Sequence, residues 1–297
     1  MEKIQNKPNK GEYSDFPCDV CGSTKTIEVP NIREYTNGQV IHICKKCGFI
    51  YVIKRRSFDK IAEIWSKDLF GKNKKYTAKS PLMLARHTYV AQFMESKIGI
   101  NGKSVFDIGA GEGQFLSILK EQYNSKVFGI EPSDNNCTLM DGIDINNFIG
   151  TAEDYLESDD SKNNKADFVT ILWTLEASTN PKELLNTAHE ILNDGGRVVI
   201  GTGSRVLVPF SKPLYLYFST NPVDSHPSRF SFNTLSSLLK VCGFEVEHVN
   251  PYLNDILTMC VIAKKVEKKE NVEIIGDDYE AVKDYFIRWQ EDTKHYL

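Results

Sequence analysis

The stretch Val105–Phe115, which reads Val-Phe-Asp-Ile-Gly-Ala-Gly-Glu-Gly-Gln-Phe, decides the fold of this 297-residue chain. It begins with a short apolar segment typical of a buried strand. Alternating glycines follow, and then a segment in which apolar residues have helical spacing. Glycines in such a turn let the backbone approach a ligand closely and let the next helix pack against the sheet. The sequence therefore predicts a strand, a ligand-binding turn and a helix.

Strand and helix patterns alternate on the C-terminal side of this turn. Predicted strands cover 104–108, 127–130, 168–173 and 197–201, and predicted helices cover 113–123 and 181–192. Strands that alternate with helices imply a parallel sheet covered on both faces. Residues 244–249 and 256–264 are predicted to close the sheet as an antiparallel pair.

Two acidic residues bear on which ligand the turn binds. Asp107 stands two residues before the first glycine, where a carboxylate is awkward beside a pyrophosphate but suits a cationic amino-acid group. Glu131 ends the next predicted strand, and a carboxylate there can accept both hydrogen bonds of a ribose diol. The alternatives are a nicotinamide cofactor and a turn that binds no cofactor.

These residues resemble the class I S-adenosylmethionine-dependent methyltransferases, over about residues 103–265. The resemblance implies a Rossmann-like α/β fold, with a seven-stranded, mostly parallel sheet and helices on both faces. It also implies S-adenosylmethionine as the cofactor. The cofactor-binding residues that it implies are Asp107, Gly109, Gly111 and Gly113 at the methionine part, Glu131 at the ribose, Glu153 or Asp154 at the adenine amino group, and Trp173 beside the methionine end.

Two Cys-x-x-Cys-Gly segments near the N-terminus predict a metal site. They contain Cys18 and Cys21, and Cys44 and Cys47, with 22 residues between the two pairs. Each segment bends the backbone so that two thiolates converge, and four thiolates complete a tetrahedral site. Because all four ligands come from the protein, the ion is predicted to be structural Zn²⁺ that supplies folding energy. A redox pair or an iron site are the alternatives.

The chain is predicted to have five parts. They are a disordered tail at 1–16, a zinc ribbon at 17–55, a helical lid or linker at 56–101, a methyltransferase core at 102–265, and a linker with a C-terminal helix at 266–297. Residues 203–230 are rich in aromatic residues and proline, and are predicted to be an insertion in the core. Such insertions are often lids or binding loops.

Methyl transfer requires a group that aligns the acceptor and, where needed, removes its proton. His226 is the first candidate, because the insertion that carries it follows the strand ending at Gly201 and should face the carboxyl ends of the strands. Glu176 follows the preceding predicted strand and could line the pocket. Tyr76 and His87 come from the helical segment before the core and are further candidates.

The combination of an N-terminal four-cysteine module with this core resembles sugar-modifying methyltransferases, including nucleotide-sugar C-methyltransferases. In those enzymes a Glu-His pair followed by an aromatic-Ser motif carries the base. His226 and the pair Phe230-Ser231 match this pattern, whereas Ser225 stands in place of the Glu. The segment Leu175-Glu176-Ala177 replaces the Leu-Glu-His of many relatives. The resemblance implies a sugar or glycan precursor as the methyl acceptor.

Two other functions fit the sequence. The zinc module could bind RNA, as in zinc-containing rRNA guanine methyltransferases, and basic residues outnumber acidic ones in 1–80. The net charge of −4 nevertheless argues against a long track for phosphates. The other function is a non-catalytic binding protein of the same fold. No long apolar run and no apolar leader are present, so we expect no membrane contact, and cysteines without a secretory signal favour the cytoplasm.

Overall fold

The computed structural model describes residues 13–36, 39–56, 81–162, 164–210, 212–220, 226–250 and 258–296. In chain order they form β1 (Tyr13–Asp15), β2 (Thr26–Glu28), β3 (His42–Cys44), β4 (Ile50–Tyr51), β5 (Lys54–Arg56), α1 (Pro81–Ile98), β6 (Ser104–Ile108), α2 (Gln114–Tyr123), β7 (Lys126–Glu131), α3 (Asp134–Asp141) and β8 (Asn147–Ile149). There follow α4 (Ala152–Glu157), β9 (Ala166–Leu172), α5 (Pro181–Ile191), β10 (Leu192–Thr202), α6 (Leu214–Thr220), β11 (Ser228–Arg229), α7 (Phe232–Val241), β12 (Phe244–Val249), β13 (Met259–Lys265) and α8 (Tyr279–Thr293).

The central sheet has seven strands in the order β12-β13-β10-β9-β6-β7-β8. Strands β10, β9, β6, β7 and β8 run parallel, and β13 is antiparallel to both β10 and β12. The predicted Rossmann-like, mostly parallel seven-stranded sheet is therefore confirmed. The strand order reverses beside β6, so the carboxyl ends of β6 and β9 border a crevice where ligands bind in such folds.

Successive residues of the central strands face opposite sides of this sheet. Phe106 of β6 and Val169 of β9 belong to one core cluster, which also contains residues of α4, α5 and α7. Their neighbours Val105 and Phe168 belong to a second cluster, which contains residues of α1 and α2. Because both faces are covered, the strands are apolar at successive positions, and this made them recognisable in the sequence.

Strand β10 begins earlier than the sequence predicts. The sequence predicts a helix as far as residue 192 and a strand only from 197, but β10 starts at Leu192 and its pairing with β9 shifts register between Leu192 and Arg197. A side chain at Gly196 would meet the Asp167 and Asn193 carbonyl oxygens at 2.9 Å. The glycine therefore permits an irregular entry into the strand at a place where the pattern indicates a turn.

The N-terminal segment forms a second sheet together with part of the insertion at 203–230. Its order is β11-β4-β3-β2, in which Ser228 pairs with Tyr51 and Arg229 with Ile50. Strand β1 pairs with β5, so Tyr13–Asp15 are not part of a disordered tail. The insertion, for which the sequence gives only a weak secondary-structure signal, supplies both α6 and β11.

The two faces of this second sheet pack against different parts of the molecule. Ile43 and Ile50 lie in a cluster with residues of α6 and α8, whereas Cys44 and Tyr51 join the core cluster of the central sheet. The N-terminal sheet is therefore covered on both sides. No helix in the described part of the chain combines the length and the apolar character needed to cross a membrane.

Candidate functional site

A cavity of about 410 Å³ opens at the carboxyl ends of the central strands, a volume within the range of small-molecule sites. The glycine turn, the ends of β7 and β9, and the start of α4 form one part of its wall. Helix α1 and His226 form another. The predicted site residues that line it are Gly109, Gly111, Glu131, Glu153, Trp173, His87 and His226.

The glycine turn is shaped by close contacts on one side and open space on the other. Gly109 and Gly113 have φ angles of +77° and +76°. A side chain at Gly109 would collide with Thr174, and one at Gly113 would lie 2.6 Å from Met140 Cγ. A side chain at Gly111, by contrast, would have no atom within 4 Å of its Cβ. Only glycine allows the turn to fit between its neighbours while its backbone faces the cavity.

Glu131 presents a carboxylate that the protein holds in a fixed orientation. Its Oε2 accepts a hydrogen bond from the Gly111 amide at 2.9 Å, and its Oε1 accepts from the Ser133 amide at 3.0 Å and Asn136 Nδ2 at 3.3 Å. Burial raises the pKa of Glu131, and these hydrogen bonds oppose the shift. A carboxylate offers about four acceptor positions, so Oε2 can still accept from a ligand hydroxyl.

The structure distinguishes the two acidic candidates at the start of α4. Asp154 does not line the cavity, because its Oδ2 accepts from the Thr151 amide at 2.9 Å and from Thr151 Oγ1 at 2.8 Å, which caps the helix. Glu153 does line the cavity. Its Oε2 is buried and has no hydrogen-bond partner among the described residues. Burial raises the pKa of Glu153. Glu153 is therefore the better-placed hydrogen-bond acceptor for a ligand.

Asp107 lies beneath the glycine turn and is not among the residues that line the cavity. Its Oδ1 accepts from Thr170 Oγ1 at 2.6 Å, on the neighbouring strand β9. Burial raises the pKa of Asp107 to about 7, with the Thr170 hydrogen bond opposing the shift and the charge of Glu131 adding to it. This position suits support of the turn better than direct contact with a ligand.

Trp173 follows β9 in a conformation that is rare for a residue with a side chain. Its φ angle is +56°, and its amide donates to the Gly201 carbonyl at 2.6 Å. Such a conformation costs on the order of 1–3 kcal/mol and is found preferentially at functional sites. Its Nε1 is buried without a hydrogen-bond partner in the described part of the structure. The ring lines the cavity and lies 5.5 Å from that of His87.

His87 presents a neutral imidazole at the cavity wall. Its Nδ1 lies 3.1 Å from Gln114 Oε1, and because an amide oxygen only accepts, Nδ1 donates. The uncharged ring then keeps Nε2 as a hydrogen-bond acceptor. Burial lowers the pKa of His87 to about 4, with the Gln114 hydrogen bond opposing the shift and Arg86 adding to it. His87 was a minor candidate in the sequence, but the structure brings it to the cavity.

The other catalytic candidates lie in different places. His226 is half-buried and lines the cavity, and its carbonyl accepts from Arg229 Nη1 at 2.8 Å. Glu176 is buried away from the cavity wall, where its Oε1 accepts from the Gly203 amide at 3.1 Å. Tyr76 lies outside the described residues. Of the two that the structure describes, His226 lines the same cavity as the glycine turn and Glu176 does not.

The four cysteines near the N-terminus converge at one point. Cys18 Sγ and Cys47 Sγ are 3.5 Å apart, as are Cys21 Sγ and Cys44 Sγ, and all four sulfurs lie within 4.8 Å of one another. Sulfurs around a tetrahedral zinc ion are separated by about 3.8 Å, given a Zn–S distance near 2.3 Å. The donor set and its spacing therefore fit a tetrahedral metal ion.

Comparison with known families gives a match over the same region as the central sheet and the cavity. A family model described as a methyltransferase domain matches residues 83–249, which is more than half of the chain. The chain belongs to this methyltransferase family. The fold of this methyltransferase-domain protein is that of the class I S-adenosylmethionine-dependent enzymes. The match begins in α1 and ends with β12, and the cysteine module lies outside it.

Individual relatives are similar over part of this methyltransferase-domain protein. The ubiquinone biosynthesis O-methyltransferase of Shewanella pealeana is 30% identical over 156 residues, 50% of this chain and 61% of the relative. The chain thus spans less than two thirds of that relative's length. The 1,6-didemethyltoxoflavin-N1-methyltransferase of Burkholderia thailandensis has a TM-score of 0.53 at 14% identity, over 76% of this chain and 98% of its own. Another similar structure comes from the Haloferax volcanii complex between the Trm112 methyltransferase activator and a methyltransferase. One chain of that complex has a TM-score of 0.51 at 15% identity, over 70% of this chain and 98% of its own.

Proposed function

We propose that the chain is an S-adenosylmethionine-dependent methyltransferase that acts on a small molecule. The observation that carries this proposal is that the glycine turn and the Glu131 carboxylate meet in one cavity, where Gly111 donates to Glu131 at 2.9 Å. A glycine-rich turn with an acidic residue at the end of the next strand suits a nucleoside whose ribose binds the carboxylate. Membership of the methyltransferase family supports the same proposal.

The cofactor-binding residues would each contact a different part of the cofactor along the cavity. Gly109 and Gly111 would hold the methionine part, and Glu131 would accept from a ribose hydroxyl. Glu153 Oε2, which has no partner among the described residues, would accept from the adenine amino group. Trp173 would flank the methionine end. Each of these roles uses an atom that already faces the cavity or lacks a partner.

When bound, S-adenosylmethionine supplies an electrophilic methyl group on a sulfonium centre. The chain's own residues must then hold the acceptor in line with that group and take up the proton that the acceptor loses. His226 is the proposed base, because it lines the same cavity as the glycine turn. His87 would accept a hydrogen bond from the acceptor's hydroxyl or amine group through Nε2.

The acceptor is proposed to be a sugar or glycan precursor. This part of the proposal rests on the sequence resemblance to sugar-modifying methyltransferases. His226 and the Phe230-Ser231 pair of this chain match the motif that carries the base in those enzymes. A cavity of about 410 Å³ suits a small molecule. The four cysteines would hold a structural Zn²⁺, since protein thiolates fill every position of a tetrahedral site and leave none for water.

A methyl-transfer assay tests this function. The release of S-adenosylhomocysteine from S-adenosylmethionine is measured over a panel of nucleotide sugars, with catechols and short RNAs as contrasting acceptors. We expect turnover of a nucleotide sugar, and a decrease in kcat of roughly 10²–10⁴-fold in His226→Ala. The control His295→Ala, at an exposed position in the C-terminal 3-10 turn, should match the wild type. Turnover of RNA alone, or of no acceptor, would contradict the proposal.

A further inference from the structure

The cysteine module reaches the cavity through the strand that follows His226. Strand β11 pairs with β4, so that Arg229 lies opposite Ile50, three residues after Cys47. The Val52 amide donates to the Pro227 carbonyl at 2.9 Å. Arg229 Nη1 donates to the His226 carbonyl at 2.8 Å. The backbone on the C-terminal side of His226 is therefore fixed by residues that directly follow the second cysteine pair.

A second link runs from the first cysteine pair to Thr179 in the cavity wall. Asp19, which lies between Cys18 and Cys21, forms a buried ion pair with Arg55, whose Nη2 lies 2.6 Å from Asp19 Oδ2. Arg55 Nη1 also donates to the Thr179 carbonyl at 2.6 Å, and Thr179 lines the cavity. One guanidinium thus joins the metal-binding turn to the cavity wall, which its fork of donors allows.

The nucleotide side of the cavity has no such link in the described structure. Among the described residues, the hydrogen bonds to the Glu131 carboxylate come from Gly111, Ser133 and Asn136, which lie in the turns and helix that follow β6 and β7. The glycine turn is held by the Ile130 carbonyl, which accepts from the Gly109 amide at 2.8 Å. The two parts of the cavity are thus supported by different parts of the chain.

We propose that metal occupancy of the cysteine cluster sets the position of the His226 segment and of Thr179, and leaves the nucleotide side of the cavity unchanged. Arg55 is the positioning residue of the second link. The inference rests on the proposed function in one respect, that the four cysteines hold zinc. It makes the cysteine module the support of two parts of the cavity wall, the His226 segment and Thr179.

The physical reason is the small size of the module's own structure. Strand β3 has three residues and β4 has two, and strands this short do not form a stable sheet alone. In such modules metal binding supplies the folding energy. Without the ion, no metal–sulfur bonds connect the two cysteine segments. The partners of Pro227, Arg229 and Thr179 then lose their fixed positions.

Hydrogen exchange on the full chain tests this inference. Zinc content is measured for the protein as purified, after chelation, and for the variant Cys21→Ser. Exchange is then compared for peptides covering 226–231, 177–180 and 104–131, and S-adenosylhomocysteine affinity is measured by calorimetry. We expect loss of zinc to raise exchange at least tenfold in the first two peptides and less than twofold in the third, with the affinity changed by less than about fivefold.

Two results would overturn the inference. One is unchanged exchange in 226–231 and 177–180 after the zinc is lost. The other is loss of protection in all three peptides together with S-adenosylhomocysteine binding, which would show that the metal supports the whole fold. Absence of bound zinc in the purified protein, or of S-adenosylhomocysteine binding with zinc in place, would instead contradict the proposed function.

The variant Arg55→Lys tests the second link. A lysine keeps the charge, but it cannot donate to Asp19 and Thr179 in the geometry of a guanidinium fork. Arg55 Nε also donates to the Val52 carbonyl at 2.7 Å, so the first link is affected as well, but it keeps its own backbone bonds. We expect zinc to be retained and exchange to rise more in 177–180 than in 226–231. Arg33→Lys is the matched control, because Arg33 pairs with Glu28 in the same module at an exposed position. Equal exchange in 177–180 for the two variants would contradict the role of Arg55.

Discussion

Glu153 and Asp154 are neighbours in the sequence with different environments. The Asp154 carboxylate is occupied by the helix cap that it forms with Thr151, and Glu153 Oε2 is buried without a partner in the described structure. An unsatisfied buried acceptor is costly, so a ligand donor at this position would be strongly favoured. The adenine amino group is such a donor.

The variant Glu153→Gln tests this contact with two matched ligands. Wild-type protein should bind S-adenosylhomocysteine more tightly than its inosine analogue, which has an oxygen in place of the amino group. Glu153→Gln should reduce this preference by roughly 10-fold or more, because a hydrogen bond to a charged group contributes about 1.5–3 kcal/mol. Asp154→Asn should leave the preference intact. An equal preference in wild type and Glu153→Gln, measured by calorimetry, would rule out the contact.

Asp107 should make the stability of the protein depend on pH. Its pKa in the folded protein is raised from 3.8 to about 7 by burial, so the folded state holds the proton more tightly than the unfolded state does. The resulting contribution to stability is complete below pH 4 and is lost as the pH rises to about 7, at roughly 1.4 kcal/mol per unit within that window.

Asp107→Asn removes this pH dependence. At pH 8 the variant should have a higher free energy of unfolding in urea than the wild type, because it carries no buried charge, and this advantage should disappear at pH 4. Asp144→Asn is the control, since the pKa of that exposed carboxylate is lowered by Lys120 and its neutralisation gives no advantage at pH 8. A destabilised Asp107→Asn at pH 8 would contradict the account.

Among the helices, α8 has a structural role that the fold of the core does not require. It covers the outer face of the cysteine module's sheet through Val282, Phe286 and Trp289. The Trp289 ring lies 4.9 Å from Tyr217 and its Nε1 donates to the Lys212 carbonyl at 2.8 Å. Helix α8 therefore connects the module with the insertion that carries β11.

Replacement of Trp289 by alanine should destabilise this region. The side chain is buried, and truncation of a buried tryptophan costs about 3–5 kcal/mol. Urea unfolding should show this loss, and Glu291→Ala, on the exposed side of the same helix, should show almost none. A loss below 1 kcal/mol for Trp289→Ala would indicate that α8 does not hold the module.

The sequence predicted the elements that have local signals. The central strands are apolar runs, and the glycine turn and the two cysteine pairs have fixed spacings. Strand β11, by contrast, has two residues and exists because it pairs with β4, which is far away in the chain. No local pattern shows such a strand. The insertion was therefore predicted to be a lid or binding loop, which stays a prediction, and its pairing with the cysteine module was not predicted.

The same reasoning explains which site residues were predicted. Glu131 and the glycines follow from spacing along the strands. The choice between Glu153 and Asp154 stayed open, although Thr151 and Asp154 have the spacing of a capping box that marks Asp154 as a cap. Glu176 was misplaced because its side chain turns toward Gly203 instead of the cavity, and a sequence does not show that direction.

At the scale of the whole molecule, a cavity lies at the carboxyl ends of the central sheet, and different parts of the chain form its wall. The glycine turn and Glu131 form one part of the wall, α1 and His226 of the insertion form another, and the cysteine module contacts the insertion through β4 and β11. Family membership indicates methyl transfer as the chemistry, and the volume of the cavity is that of a small-molecule site. The central claim is therefore that this cavity binds S-adenosylmethionine through the turn and the Glu131 carboxylate.

Calorimetric titration with S-adenosylhomocysteine, with NAD in parallel, tests this claim most directly. We predict micromolar binding of the sulfur nucleotide, no measurable binding of NAD, and a loss of at least tenfold in affinity in Glu131→Ala, where a charge-assisted hydrogen bond to the ribose is removed. Asp144→Asn should bind as the wild type does. Binding of NAD alone, or S-adenosylhomocysteine binding that Glu131→Ala leaves unchanged, would contradict the account.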